Sequence, residues 1–188
     1  SWQALLFFTP PCELYICSAQ IMSKKVLVLY YTQTGQLTDI VNSFTEPLRA
    51  ENVTVEVVRI KPVKDFEFPW TSDRFFDAMP ESVLAKPAPL EKFELKEPKY
   101  DLVVLAYQPW YLSLSIPFNS LLHEPSVIKV LKDTPVVTLI GARNMWLSSQ
   151  EKLKKILSAA GATLVGNMAL VDRNNNLVSA VTILYWML

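Results

Sequence analysis

Histidine, cysteine and glycine are all scarce in this chain. Its 188 residues include one histidine, His123, two cysteines, Cys12 and Cys17, and four glycines. A histidine-rich metal site is therefore excluded, and a zinc site built from cysteines is not expected. No metal ligand set is predicted. With so few glycines, each sharp turn that has one is a candidate for a special backbone role.

The chain also lacks an excess of charge of either sign. It carries 18 Lys and Arg residues against 18 Asp and Glu residues. This balance argues against a basic nucleic-acid surface and against an acidic solvating segment, so no nucleic-acid partner is expected. Hydrophobic residues make up 51% of the chain, which suits one domain with a sizeable core. No uninterrupted apolar run reaches about 20 residues, so no membrane span is predicted.

The first 21 residues differ in composition from the rest. They hold both cysteines and no Lys or Arg, and Pro10–Pro11 interrupts their apolar stretch. A signal peptide needs a basic region before its apolar segment. We interpret residues 1–21 as a non-native or disordered extension that precedes a start at Met22, with a clipped signal peptide as the alternative.

Residues 22–188 are predicted to form one domain that is truncated at its C-terminus, because the apolar run Leu177–Leu188 stops abruptly. No cysteine follows Met22, which suits a reducing compartment and predicts a cytoplasmic location.

Short apolar runs alternate with helical patterns along this domain. The predicted strands are Lys25–Tyr31, Val53–Ile60, Asp101–Tyr107, Pro135–Ile140 and Thr163–Val171. This alternation predicts an α/β fold with a doubly wound parallel sheet. Ligands of such sheets bind beyond the carboxyl ends of the strands, so the loops after Tyr31, Tyr107 and Ile140 are the candidate site.

Two connections carry further local patterns. The insertion Lys61–Lys99 between strands two and three is long and rich in proline, which is typical of a functional lid or docking loop. Within it, Ser72–Leu84 predicts a short helix broken near Pro80. Ser148–Glu151 matches a capping box for a helix that is predicted to end at Gly161.

The loop after the first strand has the composition of an anion site. Threonine hydroxyls, a glycine and a helix N-terminus occur together there, and these groups bind phosphate. The candidate residues are Thr32, Gln33, Thr34, Gly35, Gln36 and Thr38. Neither a P-loop, nor a dinucleotide fingerprint, nor the acidic residues of a receiver domain is present. A plain capped strand–helix turn remains an alternative interpretation.

This loop resembles the phosphate loop of flavodoxin-like proteins, which typically reads Ser/Thr-x-Thr-Gly-x-Thr. Thr32, Thr34 and Gly35 match, whereas Leu37 occupies the place of the final threonine and Thr38 lies one residue late. The resemblance covers most of residues 24–171. It implies FMN as the cofactor, with its phosphate on this loop. It also implies a flavodoxin-like five-stranded sheet in the order 2-1-3-4-5.

The same resemblance assigns the other two loops to the flavin ring. Pro109, Trp110 and Tyr111 follow the third strand, and the two aromatic rings offer faces for stacking on a flat ring. The alternative is that both pack against the aromatic insertion.

Arg143, Asn144 and Met145 follow the fourth strand. An arginine beside the flavin would stabilise the negative charge of the reduced ring, which makes Arg143 the catalytic candidate. The alternative for Arg143 is a surface ion pair.

A closer resemblance is to bacterial proteins labelled dialkylresorcinol condensing enzyme. The segments that carry it are YYTQTGQLTDIV, FPWTSDRFFDAMPESVL, YQPWYLSLSIPFNSLL, LIGARNMW and LVDRNNNLVSAVTI. It implies a role in dialkylresorcinol or aryl-polyene lipid biosynthesis, on a small or alkylated aromatic precursor. Condensation normally uses a cysteine nucleophile, and none follows Met22. The hypothesis is therefore an FMN-dependent oxidoreductase that aromatises a cyclic diketone.

Two alternatives remain open at this point. A flavodoxin-type electron carrier would dock a protein electron donor, but such carriers are usually strongly acidic, and this chain is neutral. A non-enzymatic module of a biosynthetic complex would use the same fold without flavin. A homodimer is a further expectation, since an exposed aromatic insertion suits an interface.

Overall fold

The computed structural model describes residues 23–66, 68–142 and 145–171. The strands are β1 (Lys25–Tyr30), β2 (Thr54–Arg59), β3 (Leu102–Tyr107), β4 (Pro109–Trp110), β5 (Ser113–Leu114), β6 (Pro135–Ala142) and β7 (Thr163–Val171). The helices are α1 (Gln36–Ala50), α2 (Ser72–Val83), α3 (Ile116–Leu121), α4 (Pro125–Leu131) and α5 (Leu147–Ala159). The predicted extension 1–21 and the apolar end after residue 171 lie outside the described residues.

Five strands form one parallel sheet in the order β2-β1-β3-β6-β7. Counted in chain order among the sheet strands, this is 2-1-3-4-5, so the predicted fold class is confirmed. The parallel pairing brings the carboxyl ends of β1, β3 and β6 to one edge of the sheet, where the three candidate loops begin. β4 and β5 pair antiparallel as a separate hairpin directly after β3.

The two faces of the sheet carry separate apolar cores. One core receives buried residues from α2, α3, α4 and α5, whereas α1 is the described helix that contributes to the other. Leu27, Val28 and Leu29 are all fully buried, and they alternate between the two cores along β1. Their continuous apolar sequence thus follows from burial on both faces, as in other parallel sheets.

Two local predictions about helices are wrong. α2 is not broken near Pro80 but continues through it to Val83. α5 begins at Leu147, so Ser148 lies inside the helix and forms no capping box. Ser149 instead donates its hydroxyl hydrogen to the carbonyl of Trp146, at 2.7 Å. Because this bond satisfies a carbonyl rather than an amide, it does not replace the predicted cap.

Helix α5 ends where the sequence predicts. The helix is followed by Gly161, whose φ of 73° places it in the left-handed region. A glycine at this position terminates a helix without the steric cost that a side chain would add. The predicted C-terminal boundary of this helix is therefore confirmed.

The insertion between β2 and β3 is anchored at both ends. Pro62 forms an isolated antiparallel bridge with Leu90, which closes the segment into a loop that contains α2. Near its end, the Tyr100 hydroxyl donates to Glu56 of β2 at 2.5 Å, and Glu56 also accepts from the backbone amide of Lys96. Burial raises the pKa of Tyr100 to about 12. This carboxylate therefore holds the returning chain against the edge of the sheet.

Among the described helices, none is long and apolar enough to cross a bilayer. Residues 23–66, 68–142 and 145–171 contain no group of three or more His, Cys, Asp or Glu side chains arranged to hold a metal ion.

Candidate functional site

The loop after β1 is built by a short cycle of local hydrogen bonds. The Thr32 hydroxyl, which is buried, accepts from the amide of Gly35 at 3.1 Å. Gly35 has φ 90° and ψ −21°, and its carbonyl accepts from the amide of Thr38 at 2.9 Å. A left-handed conformation immediately before a helix is costly for any residue with a Cβ, so glycine is required here.

The space beside this loop is open. A Cβ built on Gly35 would meet nothing within 4 Å. Thr34 is exposed there, and the first-turn amides of a helix, here those of Gln36 and Leu37, have no intrahelical acceptor. Amide donors and a helix dipole of this kind bind phosphate groups in proteins generally.

Thr38 adds an unpaired side-chain hydroxyl to the loop region described by the structure. Its Oγ1 atom is buried and has no hydrogen-bond partner within the described part of the chain. A buried hydroxyl without a partner is uncommon and is often satisfied by an unseen water or ligand. The predicted loop residues therefore fit the phosphate of FMN, and Thr38 is a candidate for the hydroxyl that Leu37 cannot supply.

Leu37 itself is a core residue. It is fully buried, and a Cβ built on Gly141 would lie 3.3 Å from its Cδ1 atom. The end of β6 therefore approaches α1 closely because Gly141 has no side chain. Leu37 helps to fix α1 on the sheet, and its departure from the threonine pattern has a packing explanation.

The segment after β3 forms a two-residue hairpin turn under strain. Tyr111 and Leu112 connect β4 to β5, and their φ angles are 49° and 61°. Two successive left-handed residues are usual in tight hairpins, but Asn and Gly normally occupy them. Such strain in residues with large side chains is concentrated at functional sites. The sequence did not predict this turn, because Tyr-Leu lacks the usual turn residues.

An aromatic cluster surrounds this hairpin. The Trp110 ring makes edge contacts with three other rings, at centroid distances of 5.9 Å to Tyr31, 5.2 Å to Phe66 and 4.9 Å to Trp70. The Trp70 ring also stacks on Tyr111 at 5.7 Å, with 14° between the planes. The Tyr111 hydroxyl donates to the carbonyl of Phe75 at 2.7 Å. We call these six residues, Tyr31, Phe66, Trp70, Phe75, Trp110 and Tyr111, the aromatic cluster.

Trp110 is only 8% exposed within this cluster. The alternative that the sequence left open, packing against the insertion, is thus what the structure shows for Trp110 and Tyr111. Contact of either ring with a flavin stays a prediction. Pro109, half-buried in β4, pairs with Leu114 and places the hairpin at the end of β3.

The insertion also contacts the loop after β1 directly. The side-chain amide of Gln33 donates to the carbonyl of Phe66 at 3.0 Å. Arg59, the last residue of β2, donates to the carbonyl of Thr32 at 3.4 Å, which places a positive charge near the loop. Sequence reasoning missed both contacts, because no local pattern links residues about 30 positions apart.

The loop after β6 is described only in part. Met145 is strongly exposed at its far side. Arg143 and Asn144 lie outside the described residues, so their predicted roles stay predictions.

Tyr31 is a second polar group that sequence reasoning missed. Its hydroxyl is buried and has no hydrogen-bond partner among the residues the structure describes. Burial, reinforced by the negative charge of Asp65, raises the pKa of Tyr31 well above its ordinary value. The hydroxyl of this member of the aromatic cluster therefore stays protonated and neutral.

A groove of about 680 Å³ opens on the outer side of the cluster. Its floor is apolar and includes Phe66, Trp70, Ala78 and Ala88. The charged residues along its rim are Lys64, Asp65, Arg74, Asp77 and Glu81. Phe66 and Trp70 belong to both the groove and the aromatic cluster, so the groove adjoins the hairpin.

A series of side-chain hydrogen bonds begins at Tyr107, the last residue of β3. The Tyr107 hydroxyl donates to Gln150 at 2.9 Å, the Gln150 amide donates to Thr138 at 3.1 Å, and the Thr138 hydroxyl donates to Asn167 at 2.8 Å. Burial raises the pKa of Tyr107 to about 12. These hydrogen bonds join β3, β6, β7 and α5 where β3 ends.

Of the comparisons of this chain with known proteins, the one with solved structures gives matches. No family model matches the chain, and no curated protein matches it. A flavoprotein of Lactobacillus acidophilus, solved in complex with FMN, superposes with a TM-score of 0.62 at 14% identity, over 87% of this chain and 99% of its own. A candidate flavoprotein of Bacteroides eggerthii gives a TM-score of 0.63 at 15% identity, over 86% and 98%.

A mutant flavodoxin of Fusobacterium nucleatum, bound to flavin mononucleotide, gives a TM-score of 0.50 at 11% identity, over 87% of this chain and 93% of its own. Identities this low establish a shared fold and nothing finer. Together with the sheet order 2-1-3-4-5 and the glycine turn that leads into α1, they show that this chain has the flavodoxin-like fold.

Proposed function

We propose that this protein binds FMN and is a flavin-dependent oxidoreductase. The observation that carries the proposal is the loop Thr32–Thr38, where a left-handed glycine, open space and a buried hydroxyl without a partner meet at a helix N-terminus. The fold likeness to flavoproteins supports it, including one solved with FMN.

The phosphate would lie on the amides of the first turn of α1. Thr34 and Thr38 would donate their hydroxyl hydrogens to it, while the Thr32 hydroxyl keeps the amide of Gly35 in place. The positive end of the α1 dipole favours the anion, and Arg59 adds positive charge behind the loop. Asp39 in the first turn opposes this attraction, which favours hydroxyl and amide contacts over net charge as the basis of affinity.

The substrate that we propose is a cyclic diketone with an alkyl chain, as in dialkylresorcinol biosynthesis. Bound FMN would supply the acceptor for the two electrons and two protons that conversion of such a diketone to a resorcinol releases. The groove beside the aromatic cluster supports this choice, since its apolar floor suits an alkyl chain. The hairpin and Phe66 would exclude water from one side of the reacting ring.

One observation favours a second candidate, a module of a biosynthetic complex that uses the fold without flavin. Trp110 is nearly buried and already contacts three aromatic rings. A ring in that position offers little surface to a ligand. In this second candidate the hairpin has a structural role alone.

A visible absorption titration of the full chain with FMN, FAD and riboflavin tests the proposal. We expect FMN to bind more tightly than riboflavin, because riboflavin lacks the phosphate. Thr34→Ala should weaken FMN binding about 10- to 100-fold, the range for a hydrogen bond to a charged group, and leave riboflavin binding unchanged.

Thr163→Ala is the matched control, because Thr163 is also exposed but begins β7 at the opposite edge of the sheet. Its FMN affinity should equal that of the unmodified chain. The absence of any flavin perturbation at tens of micromolar would overturn the redox proposal and favour the second candidate.

A further inference from the structure

Tyr31 differs from the other buried tyrosines whose hydroxyl bonds the structure describes. Tyr100, Tyr107 and Tyr111 each donate their hydroxyl hydrogen to an acceptor of the protein. Tyr31 is only 2% exposed, yet its hydroxyl has no hydrogen-bond partner among the described residues. A buried hydroxyl without a partner costs free energy, and such exceptions point to a bound water, an ion or a functional role.

Tyr31 lies between the loop after β1 and the insertion. It follows β1 directly and precedes Thr32, the first residue of the loop proposed for the phosphate. Its side chain belongs to the sheet core that also receives Ala78 of α2. Tyr31 therefore lies on the same side of the sheet as α2 and the groove.

Contacts of the aromatic cluster link Tyr31 to the groove. Its ring meets Trp110 at a centroid distance of 5.9 Å, and Phe66, which lines the groove, meets Trp110 at 5.2 Å. Burial raises the pKa of Tyr31, and the negative charge of Asp65 on the groove rim raises it further, so this carboxylate and the hydroxyl lie near each other. Tyr31 therefore lies behind the end of the groove that Asp65 and Phe66 form.

We propose that the Tyr31 hydroxyl donates its hydrogen to a ring oxygen of the substrate. This inference rests on the proposed function, in which the groove receives the alkyl chain of a cyclic diketone. With the chain on the apolar floor, the ring of the diketone lies toward Phe66 and Tyr31, beside the loop proposed for the phosphate. The hydrogen bond fixes the orientation of this ring and stabilises negative charge that develops on its oxygen.

The chemistry of Tyr31 suits an oxygen of a ketone or a hydroxyl group better than that of a carboxylate. The nearby charge of Asp65 keeps the phenol protonated and disfavours a full negative charge beside it. The surrounding rings of Trp110 and Phe66 lower the local polarity, so a hydrogen bond formed there is stronger than one in water.

A ligand reaches this hydroxyl only when a side chain of the aromatic cluster moves, because Tyr31 itself is buried. We expect Phe66 to move, since it is only partly buried and lines the groove, whereas Trp110 is held among three rings. The Phe66 carbonyl accepts from Gln33, a bond that rotation of the Phe66 side chain leaves intact.

The substitution Tyr31→Phe distinguishes a ligand-binding hydroxyl from a structural one. It removes one oxygen and keeps the ring that packs on Trp110. Because that oxygen has no partner among the described residues, the variant should unfold at the same urea concentration as the unmodified chain or at a higher one.

Calorimetric titration with hexylresorcinol, with and without FMN, measures the binding role. The full chain should bind it about three- to tenfold more tightly than Tyr31→Phe does, the effect of one neutral hydrogen bond. Hexylbenzene has the same chain and ring but no oxygen, so both proteins should bind it equally.

Tyr107→Phe is the matched control, because Tyr107 is also buried but its hydroxyl already donates to Gln150. This variant should lose stability and keep the hexylresorcinol affinity of the unmodified chain. The two substitutions remove the same atom, so opposite outcomes assign ligand binding to Tyr31 and a structural bond to Tyr107.

Equal hexylresorcinol affinity in Tyr31→Phe and the unmodified chain would overturn the inference, as would the absence of hexylresorcinol binding or a clear loss of stability in Tyr31→Phe. Weaker FMN binding by Tyr31→Phe would assign the hydroxyl to the flavin and also overturn it. If FMN did not bind but hexylresorcinol affinity still depended on Tyr31, the redox proposal would fail and the role of the hydroxyl would stand.

Discussion

The loop after β1 and the hairpin after β3 begin at the same edge of the sheet, on neighbouring strands, yet they are held in different ways. The loop is shaped by bonds between residues three apart, such as Thr32 with Gly35. The hairpin is shaped by side chains about 35 to 80 residues away, including Phe66, Trp70 and Tyr31. Local contacts leave open space at the loop, whereas long-range contacts fill the space around the hairpin.

The difference separates an element that has open space for a ligand from one that packing fills. A loop that satisfies its own geometry can present amides and hydroxyls to a ligand without rearrangement. A hairpin whose turn is strained at Tyr111 and Leu112 needs outside contacts to stay in place. The insertion supplies these contacts, and it also contacts the loop through Gln33.

Removal of the Trp110 side chain is the strongest test of this comparison. Trp110→Ala should destabilise the fold by about 3–5 kcal/mol, because a buried ring that joins the insertion to the hairpin is lost and a cavity is left. Urea unfolding followed by circular dichroism measures the effect. Trp110→Phe retains part of the packing and should cost less. If Trp110→Ala unfolded at the same urea concentration as the unmodified chain, the ring would have no supporting role.

The buried Tyr107 hydroxyl at the end of β3 predicts a specific pH dependence of stability. Burial raises the pKa of Tyr107 to about 12 in the folded protein, above its ordinary value near 10. Its contribution to stability is therefore fully present below pH 10 and is lost as the pH rises from about 10 to 12, where the unfolded chain ionises first.

The variant Tyr107→Phe isolates this contribution. At pH 8 it should be less stable by about 1–3 kcal/mol, since the Gln150 carbonyl loses its donor. Between pH 8 and 11 its free energy of unfolding should fall less steeply than that of the unmodified chain. Urea unfolding at several pH values measures both quantities, and parallel curves would contradict the prediction.

Substitution in the loop after β1 should have the smallest effect on stability. A matched pair of glycine variants tests this expectation. Gly35→Ala and Gly161→Ala each place a Cβ on a residue with positive φ, so both should cost about 1–2 kcal/mol. Neither Cβ meets an atom closer than 3.7 Å. Only Gly35→Ala should also weaken FMN binding, by about tenfold, because its Cβ enters the space proposed for the phosphate. Equal loss of affinity in both variants would place the phosphate elsewhere.

The elements that sequence reasoning located well are those with a dense local pattern. The five sheet strands lie within one or two residues of their predicted bounds, because continuous apolar runs such as KVLVLY identify strands buried on both faces. The loop Thr32–Thr38 was predicted as a phosphate site because its threonines, its glycine and the start of the following helix lie within seven residues, and that assignment stays a prediction. The fold class then followed from the alternation of strands and helices.

The errors arose where tertiary contacts decide local structure. Pro80 was expected to break α2, but the packing of Ala78 and Ser82 on the core and hairpin holds the helix together across it. The predicted capping box failed because α5 begins at Leu147, two residues before the Ser149 start that a cap at Ser148 predicts. Proline and capping signals describe intrinsic preference, which packing overrides.

The amino-acid sequence by itself determined the order of strands and helices, the burial of the sheet and the position of a glycine-dependent turn before α1, since each depends on residues close together in the chain. Only the tertiary structure decided that Trp110 packs inward, that Leu37 belongs to the core and that the outer side of α2 stays apolar and exposed. These outcomes depend on which distant segments meet, and a side chain has no burial until its neighbours are in place.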